Sequence, residues 1–506
     1  MRVAFNLAVA AASITSIASA DAALEVKKGK QCCRALAEIP ALRNKVYYPD
    51  STIYDARIES YWSESAALEP WCMVLPTTTN DTSEVMKVIS THECPFGIRG
   101  GGHTVFPLSS SVEDGVTVDF GRMNSTTYDP EDNIASIEPG GNWGATYDAL
   151  APHGVVVPGG RGSAVGISGF ILGGGYSFFT HAHGFACDTV KNFEVVLADG
   201  SVVNANAEEN RDLWVSLKGG SGNFGLVTRF DMDAIPYAEP ENPVIWGGGL
   251  FWDVNATYEV IETLAEFGDN AADDVSSTSF CMFLWAPQVG WQTACSLNNI
   301  INRPSAPAFD GYMAIGGVTN STLRSDSMLN LTKEQDAVPG FRNIWFTGAF
   351  KNDPRIMHFA FERQKEVVQR FKEEIPDENQ NVVIQFHPVT PSMVSRGKGL
   401  NSFGLDENVA DGAGVISNLL LQMDSPESEA KAYKIATEYQ DAVDEYAASL
   451  GADWDFRYLN YADFSVDPIE RYGKESVERM RDVSAKYDPQ GVFQKLRKSG
   501  HKIPME

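Results

Sequence analysis

The residues of this sequence best suited to chemistry form the run Arg99-Gly100-Gly101-Gly102-His103. Three consecutive glycines leave backbone N–H groups open to phosphate oxygens, because no Cβ intervenes and positive φ is permitted. The preceding residues 95–98 are mostly apolar and predict a short strand, and ligands are often bound where strands end. A flexible turn is the alternative interpretation of the glycines alone.

Other motifs accompany this loop in a fixed order along nearly the whole chain. They are 61–81 (YWSESAALEPWCMVLPTTTND), 159–175 (GGRGSAVGISGFILGGG), 217–230 (LKGGSGNFGLVTRF), 458–463 (YLNYAD) and 486–493 (KYDPQGVF). Together with the RGGGH loop, the first three resemble the FAD-binding PCMH-type flavoproteins of the vanillyl-alcohol-oxidase superfamily. The last two resemble the terminal segment of its berberine-bridge-enzyme-like branch, the oxygen-dependent FAD-linked oxidoreductases, of fungal type.

The resemblance implies an α+β fold, with a two-subdomain PCMH-type FAD-binding domain and a substrate domain in which helices cover an antiparallel sheet. We expect a signal peptide over 1–20 and an N-terminal segment over 21–67 that packs on the FAD domain. The FAD-binding domain is expected over 68–238 and the substrate-binding domain over 239–455. The C-terminal segment, 456–506, is expected to return to the FAD domain.

Hydrophobic periodicity predicts alternating strands and helices in the first half of the chain. The predicted elements there are helices at 81–92 and 143–150, strands at 116–120 and 134–138, and a hairpin over 193–204 turning at Asp199-Gly200. The second half predicts strands at 280–285, 382–387 and 415–422 and helices at 354–374 and 427–450. One layer of helices on an antiparallel sheet is the economical arrangement, and its open face would cover the flavin.

FAD is the cofactor that the resemblance implies, and His103 stands at the position of covalent attachment. Many relatives carry a cysteine that makes a second bond to the flavin, but Gly162 stands there, so we expect mono-histidyl attachment. Val165 matches a position that controls oxygen access, and a valine leaves more room than a leucine, which favours an oxidase. The other residues expected to bind the cofactor are Arg99, Gly100, Gly101, Gly102, Gly160, Arg161, Gly166, Gly173, Gly174, Gly175, Gly220 and Asn223.

Tyr458 and Tyr461 match family tyrosines that reach toward the flavin, with Asn460 between them on an expected strand. One of them must accept a proton as hydride leaves the substrate, and Tyr458 is the first candidate. An ordinary tyrosine has a pKa of about 10, so a cation or hydrogen bonds must lower it. Burial of these tyrosines for packing is the alternative. Gln385 and His387 share one face of the 382–387 strand and are further candidates for catalytic residues. The alternative for His387 is a structural role.

Composition excludes some partners. A formal net charge of -27 and a pI near 4.7 argue against nucleic acid, which would need clustered Lys and Arg.

His181 and His183 have no carboxylate or cysteine companions, so we expect no metal site. The expected partners are a small-molecule substrate and O2, and we expect a monomer without a membrane anchor.

The N-terminus predicts secretion. Arg2 precedes an apolar run over 7–17 that is too short to span a bilayer, and Ala18-Ser19-Ala20 matches a signal-peptidase site. Glycosylation sequons, which favour a secretory glycoprotein, occur at Asn80, Asn124, Asn255, Asn320 and Asn330.

The seven cysteines leave at least one thiol unpaired within the chain. Cys281 and Cys295 flank a predicted hairpin and form the pair we expect. The resemblance puts Cys187 close to the flavin as the free thiol. The connectivity of Cys32, Cys33, Cys72 and Cys94 is left open.

The expected function is that of a secreted FAD-dependent oxidase acting on a small organic substrate. It would take hydride from a C–H beside an alcohol or amine, or during oxidative ring closure, and pass the electrons to O2 to give H2O2. Fungal secondary-metabolite biosynthesis is the expected setting. The alternatives are a carbohydrate (oligosaccharide) oxidase, against which the missing cysteine counts, and a catalytically silent glycosylated flavoprotein.

Overall fold

The computed structural model describes residues 28–505, and the predicted signal peptide over 1–20 lies outside them. The first sheet has the order β1-β2-β4-β3, with β1 (Val46–Tyr47), β2 (Cys72–Val74), β3 (Phe96–Arg99) and β4 (Val116–Asp119). Its helices are α1 (28–38), α2 (Thr52–Glu59) and α3 (Thr79–His92). Because β3 and β4 are parallel, the loop that follows β3 leaves from the carboxyl edge of the sheet.

The second sheet is antiparallel and has the order β5-β6-β10-β8-β9. Its strands are β5 (Thr126–Asp129), β6 (Ile134–Ile137), β8 (Val190–Val196), β9 (Val202–Asn206) and β10 (Leu226–Asp233). A two-stranded ribbon joins β7 (Val155–Val156) to β11 (Ile235–Pro236). The helices of this region are α4 (Trp143–Leu150), α5 (Ile167–Leu172), α6 (Thr180–His183) and α7 (Arg211–Leu217).

The third sheet has eight antiparallel strands in the order β15-β12-β14-β13-β18-β19-β17, with β16 also paired to β12. The strands are β12 (Ile245–Trp252), β13 (Ser277–Ala286), β14 (Gly290–Asn299), β15 (Val318–Ser321), β16 (Arg324–Asp326), β17 (Arg342–Lys351), β18 (Asn381–Val389) and β19 (Gly414–Met423). Its helices are α8 (Thr257–Asn270), α9 (Asp310–Ala314), α10 (Met328–Glu334), α11 (Pro354–Glu374), α12 (Pro391–Arg396) and α13 (Pro426–Ser449).

The two faces of the third sheet have different neighbours. Cys281 and Phe283 of β13 point toward the core shared with α8, α11 and α13, as period-two alternation requires. Phe280 and Met282 point the other way and line a cavity. The helices therefore cover one face and leave the other as the wall of a site.

The end of the chain returns to the first sheet after α14 (Lys474–Tyr487) and α15 (Val492–Lys495). The Phe96 N–H donates to the Leu496 carbonyl (3.0 Å), and the Lys498 N–H donates to the Phe96 carbonyl (2.8 Å). The last residues thus pair with β3 directly before the glycine loop.

The predicted helices and strands are present, with ends that differ by a few residues, except at 458–461. There, Leu459–Tyr461 forms a single 3-10 turn instead of a strand. The Tyr461 N–H donates to the Tyr458 carbonyl (2.9 Å), and the Asn460 amide donates to the Phe170 carbonyl (3.0 Å). These local bonds take the place of a strand ladder, and the rings of Tyr458 and Tyr461 lie edge to face with their centroids 4.9 Å apart.

Three disulfides lie within the described residues. Cys281–Cys295 joins directly paired positions of β13 and β14, which confirms the predicted pair, and Cys187 is buried and free as expected. The other bonds are Cys32–Cys94 and Cys33–Cys72, which tie α1 to the first sheet. Such disulfides are typical of secretory-pathway proteins. Across 28–505, every helix is too short or too polar to cross a bilayer.

Two glycine-rich loops meet at Gly101 and Gly166. A Cβ added to either glycine would lie 2.5 Å from the Cα of the other, so the two backbones touch directly. Gly102 also has φ +77°, a conformation that favours glycine. Any side chain at the contact would separate the loop after β3 from the loop before α5.

We predict that Gly101→Ala destabilises the protein by about 1–3 kcal/mol, the usual result of overpacking. Thermal unfolding of the variant and the wild type measures the loss. Gly316→Ala is the matched control, because Gly316 is exposed and its added methyl group meets open space. An unchanged melting temperature for Gly101→Ala would show that the two backbones can separate freely.

Candidate functional site

A cavity lies between the glycine loops of the first half and the uncovered face of the third sheet. Its lining includes residues from the loops after β3 and before α5, from β13, β17, β18 and β19, from the 459–462 turn and from the chain end. Loops bring backbone groups to one side of it, and strands bring side chains to the other.

The loop after β3 presents a row of free backbone donors to this cavity. All five residues from Gly100 to Thr104 line it, and none of their N–H groups has a hydrogen-bond partner within residues 28–505. Gly102 is buried and the other four residues are partly exposed toward the cavity, so the row is open to an acceptor from outside the chain. Phosphate oxygens are acceptors of this kind.

Arg99 does not join this row, contrary to expectation. Its side chain is fully buried, lies 3.6 Å from the Asp119 carboxylate and stacks on the Tyr61 ring at 3.8 Å. It also donates to the Arg57 carbonyl and to the Ser60 hydroxyl. Arg99 therefore holds the base of the loop, and only its neighbours reach the cavity.

His103 lines the cavity with its ring stacked on that of Trp62, at 4.6 Å between centroids and 10° between planes. The backbone N–H of Trp62 donates to the Gly102 carbonyl (3.1 Å), and this bond fixes the stack. Burial lowers the pKa of His103, so the imidazole is neutral at pH 7. A neutral imidazole keeps the lone pair that bond formation requires. Trp62 belongs to the 61–81 motif, but nothing in the sequence indicated its contact with His103.

The second glycine cluster divides into two parts. Gly160, Arg161, Gly162, Val165 and Gly166 line the cavity, as expected.

Gly173, Gly174 and Gly175 pack behind the cavity wall instead. A Cβ at Gly173 would meet the Asn460 side chain, and one at Gly174 would meet Phe403 and Tyr458. Gly173 and Gly174 thus admit side chains of the 458–461 turn, and a Cβ at Gly175 would meet Phe170 and Ala186, so packing explains all three glycines without a contact to a cofactor.

Tyr458 is held away from the cavity. Its hydroxyl accepts hydrogen bonds from the Gly175 and Tyr176 N–H groups, both at 2.9 Å, and from the Asn460 amide at 3.1 Å. The side chain is buried, and burial raises its pKa. Tyr458 is therefore outside the cavity lining in this structure, and its role as a proton acceptor stays a prediction. Asn460 does line the cavity.

Tyr461 lines the cavity at the centre of a polar network. The Arg161 guanidinium donates through Nη2 to the Tyr461 hydroxyl (2.7 Å), and its Nη1 lies 3.1 Å from Nδ1 of His387. Burial, and then the charge of Arg161, lower the pKa of His387 well below its usual value. His387 is therefore neutral, with Nδ1 as the acceptor.

Gln385 and His387 are on the same face of β18, as period-two alternation predicts. Gln385 lines the cavity, and its carbonyl oxygen accepts from the Asn418 amide (3.4 Å). His387 lies behind Tyr461 and Arg161, with ring contacts to Phe280 and Tyr461. The rest of this wall is apolar and aromatic and includes Phe280, Met282, Trp345 and Leu420.

The third glycine cluster contributes different residues from those expected. Ser221, Gly222 and Gly225 line the cavity, whereas Gly220 packs on Phe224 and Asn223 is buried behind the wall.

Asn223 supports Arg497, a cavity-lining residue that sequence reasoning missed. Arg497 Nη2 donates to the Asn223 side-chain oxygen (2.6 Å) and to the His501 carbonyl (2.8 Å). Within residues 28–505, no carboxylate lies within 4.0 Å of Arg497. Burial lowers its pKa to about 9, so it is still charged at pH 7. A buried cation without a protein anion points to an anionic ligand.

The predicted glycosylation sites share one property, exposure to solvent. This holds for Asn80, Asn124, Asn255, Asn320 and Asn330. Accessibility is necessary for modification, and glycosylation stays a prediction.

Comparisons with known proteins identify the family of the chain. Residues 70–206 match the family model described as an FAD binding domain. The FAD-dependent monooxygenase sdcF of Emericella nidulans is 36% identical over 484 residues, which cover 93% of this chain and 98% of that protein.

Two solved structures share the fold. Physcomitrella patens BBE-like 1 has a TM-score of 0.73 at 19% identity, covering 94% of this chain and 99% of its own. Glucooligosaccharide oxidase from Acremonium strictum, which has a 6-S-cysteinyl, 8α-N1-histidyl FAD, has a TM-score of 0.69 at 18% identity, covering 94% of this chain and 98% of its own. Given the identity to sdcF over nearly its full length, the chain belongs to the same family of fungal FAD-dependent oxidoreductases, within the PCMH-type, berberine-bridge-enzyme-like FAD-linked oxidoreductases.

Proposed function

We propose that this FAD-dependent oxidoreductase is a secreted oxidase that holds FAD covalently through His103 and uses O2 as acceptor, giving H2O2. Its substrate is a small organic molecule of fungal secondary metabolism. The observation that carries this proposal is one cavity in which five free backbone donors and His103 face the wall that bears Tyr461 and Arg161.

The residues present fit an FAD. The N–H groups from Gly100 to Thr104 would bind the diphosphate, and Arg497 would supply the positive charge that a dianion needs. His103 would make the covalent bond, and Gly162 stands where a second attachment would require a cysteine. When bound, FAD supplies a two-electron acceptor for the substrate's hydride.

On the opposite wall, Tyr461 is the proposed proton acceptor in place of Tyr458. Its hydroxyl oxygen faces the cavity, and the hydrogen bond from Arg161 would stabilise the phenolate form, which takes up the substrate's proton as hydride leaves. Neutral His387 orients the guanidinium from behind. Gln385 would position the substrate's polar group.

The fate of O2 separates two candidate functions. Val165 lines the cavity, and its small side chain supports the access of O2 that the proposed oxidase requires and that a monooxygenase would also need. The name of sdcF favours a monooxygenase, which would insert one oxygen atom into the product. An oligosaccharide oxidase is less well supported, because the substrate wall is largely apolar.

The proposed organisation keeps the boundaries expected from the sequence. The FAD-binding domain is 68–238, the substrate-binding domain 239–455 and the returning segment 456–506. The pairing of Phe96 with the chain end supports the last assignment. The three disulfides and the five exposed sequons support secretion.

We predict that His103→Ala abolishes covalent attachment, because no nitrogen is left to bond the flavin. The purified wild type should keep its yellow colour after acid precipitation and carry the mass of one FAD, and the variant pellet should be colourless. His92→Ala is the control, since His92 is an exposed histidine at the end of α3. A variant that kept covalent flavin would place the attachment elsewhere.

We predict that Arg497→Met weakens FAD binding by about 10–100-fold, the value of a hydrogen bond to a charged group. The measurement is a flavin-fluorescence titration in the His103→Ala background, where binding is reversible. Riboflavin lacks the diphosphate and is the comparison ligand, so its affinity should change less than about threefold. Equal losses for FAD and riboflavin would show that Arg497 only supports the loop.

We predict that Tyr461→Phe slows substrate-driven flavin reduction at least about tenfold, because it removes the proton acceptor. A substrate is first identified by screening phenolic alcohols, terpenoid alcohols and oligosaccharides for peroxide formation. Anaerobic stopped-flow absorbance then gives the rate of flavin reduction.

Tyr458→Phe is the matched comparison. It leaves two buried N–H groups without an acceptor, which costs about 1–3 kcal/mol of stability for each, and should spare the rate of reduction. If Tyr458→Phe slowed reduction and Tyr461→Phe did not, the assignment would be reversed.

A further inference from the structure

The substrate side of the cavity carries one unneutralised positive charge. Arg161 has no carboxylate within 4.0 Å among residues 28–505. Asp336 also lines the cavity, but its two oxygens accept from the Ser163 hydroxyl and the Ala164 N–H. The nearest ring nitrogen belongs to His387, which is neutral.

The guanidinium of Arg161 is held rigidly. It lies 4.2 Å from the centre of the Phe280 ring and 4.9 Å from that of Tyr176. The Tyr176 hydroxyl is itself fixed by donation to the Pro388 carbonyl (2.8 Å). A guanidinium held in this way can receive a planar anion without reorganisation.

Several donors of Arg161 remain available. The guanidinium has five N–H groups, and the described chain engages one toward Tyr461 and one toward His387. The remaining donors have no partner within 28–505. The neighbouring lining residues, Phe280, Met282 and Trp345, offer flat and apolar contact surface but no second charge.

We propose that Arg161 is a substrate-specificity residue that binds an anionic oxygen, a carboxylate or an ionised phenol, on a flat aromatic substrate. The anion would neutralise Arg161, and the ring would pack on Phe280 and Trp345. A neutral sugar offers neither feature. This inference rests on the proposed function, because it assigns the substrate class of the same cavity.

The test uses the flavin-loaded protein and two probes of equal shape, naphthalene-2-carboxylate and naphthalene-2-carboxamide. Binding is followed by the perturbation of the flavin absorbance and, independently, by tryptophan fluorescence. We expect the wild type to bind the carboxylate at least about tenfold more tightly than the amide, because only the carboxylate carries the opposite charge and two acceptor oxygens for a bidentate contact with the guanidinium. A second pair, 4-nitrophenolate and 4-nitroanisole at mildly alkaline pH, distinguishes an ionised phenol from a carboxylate.

Arg161→Gln should remove the preference for the carboxylate while changing the amide affinity less than about threefold. Arg161→Lys should keep part of the preference, because the charge remains without the planar fork. Arg355→Gln is the control, as Arg355 is an exposed arginine paired with Asp353. An unchanged affinity for the amide shows that a variant is folded. If Arg161→Gln does not fold, the affinities of the wild type and of Arg161→Lys still test the proposal.

Equal affinity of the wild type for both members of each pair would overturn the proposal, as would a carboxylate preference that survives Arg161→Gln. Failure of the proposed function is seen separately, as a protein without flavin or without peroxide formation on any alcohol. A flavin-loaded, peroxide-forming protein without a preference for anions would refute only the role of Arg161.

Discussion

The direct contact between the backbones of Gly101 and Gly166 is the constraint on which the rest of the site depends. It holds the loop after β3 against the loop before α5 at a separation that no side chain permits. One loop contributes His103 and five N–H groups that have no partner among residues 28–505 to the cavity, and the other contributes Arg161 and Val165. This one backbone contact therefore fixes the distance between the N–H groups that are proposed to bind FAD and Arg161, which is proposed to face the substrate.

The alternating faces of the third sheet extend this arrangement. Helices bury one set of side chains, so the opposite set, which includes Phe280 and Gln385, is left for the cavity. The 458–461 turn then inserts Tyr461 between the two halves, where it meets Arg161 of the glycine cluster. The network joins residues that are 300 positions apart in the chain.

Much of this was predictable from the sequence, because glycine runs and period-two patterns are local signals. The strands and helices, the Cys281–Cys295 pair and the lining role of Gly100 to His103 follow from such patterns. The sequence did not predict which of the two tyrosines, Tyr458 or Tyr461, lines the cavity. Their positions depend on a turn that is closed by its own hydrogen bonds.

The remaining errors have the same origin. Arg99 and the Gly173 to Gly175 run carry family motifs, yet Asp119 and the 458–461 turn engage them from outside their own segments. Trp62 and Arg497 reach the site only through folding, from near the two ends of the described chain, and had no distinctive spacing to reveal them.

The central claim is that electrons from the substrate pass to O2 without oxygen insertion. The most direct measurement is the fate of isotopically heavy O2 during turnover, with product and peroxide analysed by mass spectrometry. The account predicts that the heavy label appears in H2O2, one molecule for each substrate oxidised, and that the organic product contains none. Heavy oxygen in the product, without stoichiometric peroxide, would contradict it and establish a monooxygenase.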